Sequence, residues 1–98
     1  MEYRPNEIGL YIDYAQVLIA QKDYVPALKK LQNAYKIDSK NLDCLNLLFH
    51  TNYVLAKENF SDYNGEKAML IAEEIEKYYP ENFAYPEEKK ELESKYKQ

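Results

Sequence analysis

The sequence predicts an all-α fold of about five helices, and three observations lead to this prediction. The chain has only two Gly and four Pro among its 98 residues, which leaves little material for turns and loops. Hydrophobic residues make up 46% and charged residues 31%, a balance typical of a globular chain rather than a disordered one. From Ile8 onward, apolar side chains recur every three or four residues, which is the spacing of one buried helix face.

The first two helices are predicted to meet at a tight break around Lys22 and Asp23, where Asp23 can cap the second helix. The apolar stripe of the first helix, which ends near residue 21, consists of Ile8, Tyr11, Tyr14, Ala15, Leu18 and Ile19. The stripe of the second helix consists of Ala27, Leu28, Leu31, Ala34, Tyr35 and Ile37. Small side chains at Ala15 and Ala27 allow the two backbones to approach closely. We therefore expect an antiparallel helical hairpin.

A second hairpin is predicted one period later. Residues with matching roles, each 34 positions after its counterpart in the first helix (Tyr11, Tyr14, Ala15 and Leu18), are Leu45, Leu48, Phe49 and Asn52. Asn41 is a suitable N-cap for this third helix. The fourth helix is marked by Ala68, Ala72 and Ile75. This unit is seven residues longer than the first, and we expect the excess near residues 57–65, shared between longer helices and a loop in which Phe60 and Tyr63 fold back over the core.

A short, highly charged helix is predicted at residues 86–97. Pro86 is a favourable first helical residue, because Tyr85 before it is pushed out of helical geometry. The apolar side chains of this helix are Leu92 and Tyr96, with Phe83 and Tyr85 ahead of it. Such a sparse stripe is typical of a helix that covers one side of a stack and faces water on the other.

The order of large and small residues resembles the tetratricopeptide repeat (TPR), whose signature is W-x2-L-G-x2-Y followed by A-x3-F. The residues that carry the resemblance in the first unit are Tyr11, Tyr14, Ala15 and Leu18, then Ala27, Leu31 and Ala34. The resemblance implies antiparallel hairpins stacked as a short right-handed α-solenoid in a single domain, residues 1–98. Its parts are repeat one at residues 8–41, repeat two at residues 42–82 with the insertion near residues 57–65, and a capping helix at residues 86–97. Phe49 and Asn52 depart from the family pattern, which favours a small residue and an aromatic one at these positions.

Proteins of this family bind other polypeptides in a groove formed by the first helices of successive units, so the resemblance implies a protein–protein interaction module. The positions left for a protein or peptide partner are Ile12, Gln16, Ile19, Asn46, His50 and Tyr53. Each residue of the first three is 34 positions before one of the last three, so the resemblance places them side by side. Ile12 and Ile19 fit core positions equally well, and His50 also fits an ordinary surface position.

The alternative is a structural or oligomerisation module with no peptide ligand. Fewer than three repeats are usually marginal in stability. The N-terminal end, near Tyr3, Ile8 and Tyr11, is therefore a candidate contact with a second copy of the chain or with another domain.

Other classes of function lack the residues they need. The net charge is −4 and the sequence has no basic stripe, which argues against nucleic acid as a partner. The sequence also contains no run of about 18 apolar residues, so we expect no membrane insertion. One Cys and one His cannot form a zinc site, and Cys44 and His50 lie about 240° apart around one helix, too far for a catalytic dyad. We expect no enzymatic activity, no catalytic, metal-binding or cofactor-binding residues and no cofactor. Since Cys44 cannot form an internal disulfide and the N-terminus does not resemble a signal peptide, we expect a cytoplasmic protein.

Overall fold

The all-α prediction is confirmed by the structure, a computed structural model that describes residues 7–59 and 62–96. The helices in these residues are α1 (Glu7–Ala20), α2 (Tyr24–Ile37), α3 (Leu42–Asn59), α4 (Asp62–Tyr78) and α5 (Pro86–Tyr96). The described residues contain no β-strand. Several predicted features lie outside the described residues, namely Tyr3, Phe60, the side chain of Tyr96 and residue 97.

The break between α1 and α2 is a Schellman turn. The N–H of Asp23 donates to the carbonyl of Leu18 at 2.8 Å, and the N–H of Lys22 donates to that of Ile19 at 2.9 Å. Lys22 adopts the left-handed conformation, with φ at 66°, in a position that usually favours Gly. The predicted side-chain cap at Asp23 is wrong: this residue precedes α2, but its carboxylate makes no capping bond. Its backbone closes the preceding turn at ψ 73°, outside the extended geometry that aims a capping side chain.

The cap predicted for the third helix is confirmed. The Oδ1 atom of Asn41 accepts a hydrogen bond from the N–H of Cys44 at 2.9 Å, which satisfies one of the unpaired donors of the first turn of α3. Asp38 prepares this turn by accepting a hydrogen bond from the N–H of Lys40 at 3.0 Å.

Helix length accounts for the additional residues of the second hairpin. The helices α3 and α4 have 18 and 17 residues, against 14 in each of α1 and α2. Residues 60 and 61, between α3 and α4, lie outside the described part of the chain. Tyr63 was expected to fold over the core, but it is 66% exposed because it already belongs to the first turn of α4.

The core has two adjoining clusters. The first joins α1, α2 and α3 through Ile12, Ala15, Ala27, Leu31, Ala34, Cys44 and Leu48. The second joins α3, α4 and α5 through Leu45, Phe49, Ala68, Met69, Ala72, Ile75 and Leu92. Ala15 and Ala27 are fully buried, as expected for a close α1–α2 contact. The predicted burial of Tyr14 is wrong: it is 53% exposed, because the core lies against the side of α1 that carries Ile12 and Ala15.

Polar contacts tie the helices together at their edges. The hydroxyl of Tyr35 in α2 contacts the carboxylate of Glu74 in α4 at 3.0 and 3.2 Å. The ammonium of Lys89 in α5 lies 2.9 Å from the carboxylate of Glu76 in α4. Beside this ion pair, Leu92 is the α5 side chain that enters the core, with 3% of its surface exposed. Leu92 and the Lys89–Glu76 ion pair thus attach α5 to the second core cluster and to α4.

Candidate functional site

The predicted partner-binding residues differ in how much surface they offer. On α1, Gln16 is exposed, Ile19 is half-buried against the first core cluster, and Ile12 is only 7% exposed. The spacing of Ile12 along α1 fitted either the partner-binding surface or the core. The structure places this residue in the core. On α3, Asn46, His50 and Tyr53 are all half-buried, and the chain itself covers them.

Asn46 binds the backbone of residues 82–85, which we call the 82–85 segment. Its Nδ2 donates to the carbonyl oxygen of Asn82 at 3.4 Å. Its Oδ1 accepts from the N–H of Ala84 at 3.0 Å. One amide side chain thus contacts a carbonyl and an N–H of the same stretch of chain. Because both bonds go to main-chain atoms, they do not depend on the side chains of the bound segment.

Two rings of the 82–85 segment pack on rings of α3. Phe83 meets Phe49 edge to face, with centroids 5.0 Å apart and planes at 82°. Tyr85 stacks on His50, with centroids 4.9 Å apart and planes at 20°, and lies 6.1 Å from Phe49. Offset and edge-to-face arrangements at these distances are the favourable ones for aromatic pairs. The face of α3 therefore provides two neighbouring ring platforms beside the amide of Asn46.

His50 is held in an environment that disfavours its charged form. Burial lowers the pKa of its imidazole, and the nearby carboxylate of Glu88 opposes this shift only in part. Its Nδ1 is buried and has no hydrogen-bond partner in the part of the chain that the structure describes. Protonation would place an unpaired N–H there, so the stack with Tyr85 favours neutral His50.

A carboxylate site lies further along α3. The hydroxyl of Tyr53 donates to Oε1 of Glu91 in α5 at 2.7 Å, and the ammonium of Lys57 lies 3.1 Å from Oε2 of the same carboxylate. The hydrogen bond from Tyr53, followed by that from Lys57, lowers the pKa of Glu91. Tyr53 and Lys57 thus bind one acidic group at an exposed edge of α3.

A cleft separate from the α3 face lies between α2, α3 and α4. It is a cleft of about 330 Å³ whose lining includes Leu28, Leu48 and Asn52, together with the exposed side chains of Tyr63 and Leu70. Asn52 is almost fully buried, donates to the carbonyl of Leu48 at 2.9 Å and accepts from Asn64 at 2.9 Å. None of the six predicted partner-binding residues lines this cleft.

The described residues and the comparisons with known proteins point to no metal site, no membrane-spanning helix and no known family. Among residues 7–59 and 62–96, no three His, Cys, Asp or Glu side chains are grouped so that they could hold a metal ion. No helix in the same residues combines the length and apolarity needed to cross a membrane. A scan against protein-family models finds no match, and neither the curated proteins nor the solved structures include a significant match.

Sequence reasoning selected Asn46, His50 and Tyr53 but missed what they bind. The sequence signal was the pair Phe83 and Tyr85 just ahead of a charged helix, since two such rings need a surface to cover them. Repeat spacing gives the positions of residues along helices. It contains no information on the path of the irregular stretch that follows α4.

Proposed function

We propose that the chain is a protein-interaction module in which α1 and α3 act as the first helices of two TPR-like repeats and α3 binds an extended segment of another polypeptide. The observation that carries this proposal is the contact of Asn46 with the backbone of Asn82 and Ala84. Every polypeptide has such carbonyl and N–H groups, and hydrogen bonds to the main chain are one of the ways in which proteins bind an extended peptide. Asn46 would therefore bind a foreign segment through the same atoms.

The rings of α3 indicate the side chains that a partner should carry. Phe83 and Tyr85, two positions apart, pack on Phe49 and His50. The site of Tyr53 and Lys57 further along α3 suits an acidic residue. The preferred ligand is thus an extended aromatic-x-aromatic sequence with a carboxylate further along the chain. Gln16 adds an exposed amide on α1.

A partner of this kind competes with the 82–85 segment. An attached segment acts at an effective concentration in the millimolar range or above, which lowers the apparent affinity of any rival. The segment itself is held by Asn46 and by the rings of Phe83 and Tyr85. The helix that follows it has its own contacts, through Leu92, Lys89 and Glu91. Loosening the segment within the full-length chain should therefore expose the binding face and leave α1 to α4 folded.

The test uses a fluorescent peptide with the sequence of residues 80–91, titrated into full-length variants and followed by fluorescence anisotropy. The double substitution Phe83→Ala and Tyr85→Ala should strengthen peptide binding at least tenfold over the parent chain. Adding Asn46→Ala should weaken it again by a similar factor, because both backbone contacts are lost. Gln32→Ala, which changes the cleft on α2, is the matched control and should leave the affinity unchanged.

Two results would contradict the proposal. One is the absence of saturable binding by the double variant up to about 1 mM peptide, a concentration at which even a contact of about −4 kcal/mol is half-saturated. The other is binding that Asn46→Ala leaves intact. A control peptide with Ala in place of both aromatic residues reports whether the ring platforms contribute selectivity.

A further inference from the structure

One face of α1 is apolar and exposed, although the opposite face is in the core. Leu10, Tyr14 and Val17 are 66%, 53% and 54% exposed. They lie at positions i, i+4 and i+7 and so form one stripe, which we call the outer stripe. Leu10 and the buried Ile12 lie about 200° apart around the helix, so the outer stripe points away from the core. The six-residue set predicted to bind a peptide has no member in it.

The composition of α1 is that of a helix covered on both sides. Ten of its 14 residues are apolar, the four exceptions being Glu7, Gly9, Asp13 and Gln16. A helix that is apolar all round is normally buried all round. The N-terminal contact was predicted near Ile8 and Tyr11, but both pack against the first core cluster. The outer stripe is therefore the part of α1 that still needs a neighbour.

Charges of opposite sign border the outer stripe. On one side, the Nζ atom of Lys30 in α2 lies 4.8 Å from the ring centroid of Tyr14. Ile37, seven residues after Lys30 and thus on the same side of α2, adds a further apolar group that is 37% exposed. On the other side is Asp13, which is exposed and makes no ion pair among residues 7–59 and 62–96.

We propose that a second copy of the chain covers the outer stripe, with the two α1 helices side by side and parallel about a twofold axis that runs along them. Rotation about this axis places each border of one stripe against the opposite border of the stripe in the other copy. Asp13 then faces Lys30 of the second copy, and the same pair forms again across the axis. An antiparallel arrangement would instead bring Asp13 against Asp13 and Lys30 against Lys30. The charge pattern selects the parallel pair.

The size of the stripe sets the strength of this dimer. The exposed parts of Leu10, Tyr14, Val17 and Ile37 amount to roughly 350 Å² of apolar surface per copy, if a large side chain carries roughly 150–250 Å². With a polar rim in the usual proportion, two copies would bury about 1,200 Å², the lower end of specific interfaces. The dimer should therefore be weak and depend on concentration.

A head-to-tail chain of copies is disfavoured by the opposite end of the molecule. Seven of the 11 residues of α5 are charged, and its buried apolar side chain, Leu92, already faces the second core cluster. It offers no apolar stripe to α1 of another copy. The complementary charges on the two borders of the outer stripe favour one stripe against the same stripe, an arrangement that closes after two copies.

Sedimentation velocity of the full-length chain, from about 5 µM to about 1 mM, tests the proposal in the range where weak dimers dissociate. The parent chain should dimerise over this range. Val17→Glu should raise the dissociation constant more than tenfold, because it places a charge in the centre of the stripe. Leu70→Glu is the matched control: Leu70 is 56% exposed on α4, away from α1, and this variant should dimerise like the parent.

A charge exchange tests the parallel arrangement itself. Asp13→Lys should weaken the dimer several-fold, and Asp13→Lys combined with Lys30→Asp should restore it. Both effects should shrink at about 0.5 M salt, where exposed charges are screened. The proposal is overturned if the parent stays monomeric throughout, or if Val17→Glu dimerises like the parent. It is also overturned if Asp13→Lys leaves the dissociation constant unchanged, as an antiparallel pair requires, because there the substitution replaces one like-charge contact by another.

Discussion

Replacing Phe83 by Ala should release the 82–85 segment without unfolding the rest of the domain. Phe83 is mostly buried and packs edge to face on Phe49. Full burial of a Phe side chain contributes about 1.5–3 kcal/mol, and an aromatic pair adds about 0.5–1.5 kcal/mol. A mostly buried ring should therefore contribute about 2–3 kcal/mol to holding the segment. At about 1.4 kcal/mol per factor of ten, segment opening becomes roughly 30- to 150-fold more frequent.

Native-state hydrogen exchange measures this opening at single residues. The reporter is the amide of Ala84, whose N–H donates to Oδ1 of Asn46, and the reference is the amide of the fully buried Leu31. Exchange at Ala84 should accelerate in Phe83→Ala up to the limit set by the unprotected amide, and exchange at Leu31 should stay at its parent rate. Phe83→Leu, which keeps apolar volume but removes the ring, should give a smaller acceleration. Equal acceleration at both amides, or none at Ala84, would refute the reasoning.

Three further predictions concern other parts of the molecule. Lys22→Gly should raise the free energy of unfolding in urea by about 0.5–1 kcal/mol, because Gly adopts the left-handed conformation at 66° without the strain of a side chain; a loss of stability would contradict this. Acidification from about pH 7.5 to 5.5 should favour opening of the 82–85 segment. Burial lowers the pKa of His50 in the closed state, so the open chain binds more protons below about pH 6.5. Exchange at Ala84 measures the effect, and His50→Gln should abolish it. Cys44 should resist thiol reagents at pH 8 until the domain unfolds, since burial raises its pKa to about 12, and labelling at the rate of an exposed thiol would disprove this.

Local sequence signals predicted most of the helical framework. Asn41 was recognised as a cap because its side chain bonds an amide only three residues away, so the interaction is contained in the sequence of one turn. Asp23 and Tyr63 failed for a different reason. Asp23 belongs to two consecutive turns, and the α1 ending determined its backbone. The prediction for Tyr63 depended on whether a loop or a helix fills the insertion. The insertion lengthens the helices, and Tyr63 lies in the first turn of α4 with its ring exposed.

The candidate site was only half predictable, because spacing along a helix does not tell which of several apolar faces meets a neighbour. α1 is apolar on nearly every side, so Ile12 fitted the core and the groove equally well, and the position of α3 decided between them. Asn46 was found by its distance from Ile12 along the chain. The contact of Asn46 with Ala84 spans 38 residues and an irregular turn, and no local pattern encodes it.

Under the proposed function, the way in which the 82–85 segment opens determines what kind of partner would replace it. The seven residues between Tyr78 and Pro86 span at most about 25 Å when extended, which allows the segment to bulge away from α3. In that case α5 is still held by Leu92, by the Lys89–Glu76 ion pair and by the contacts of Glu91 with α3. A short extended peptide then suffices as a partner. If α5 detaches as well, Leu92 leaves the second core cluster, and a successful partner must also fill that gap, which a helix following its extended part could do. Exchange at the Leu92 amide in Phe83→Ala separates the two cases, because it accelerates together with Ala84 only when the helix leaves.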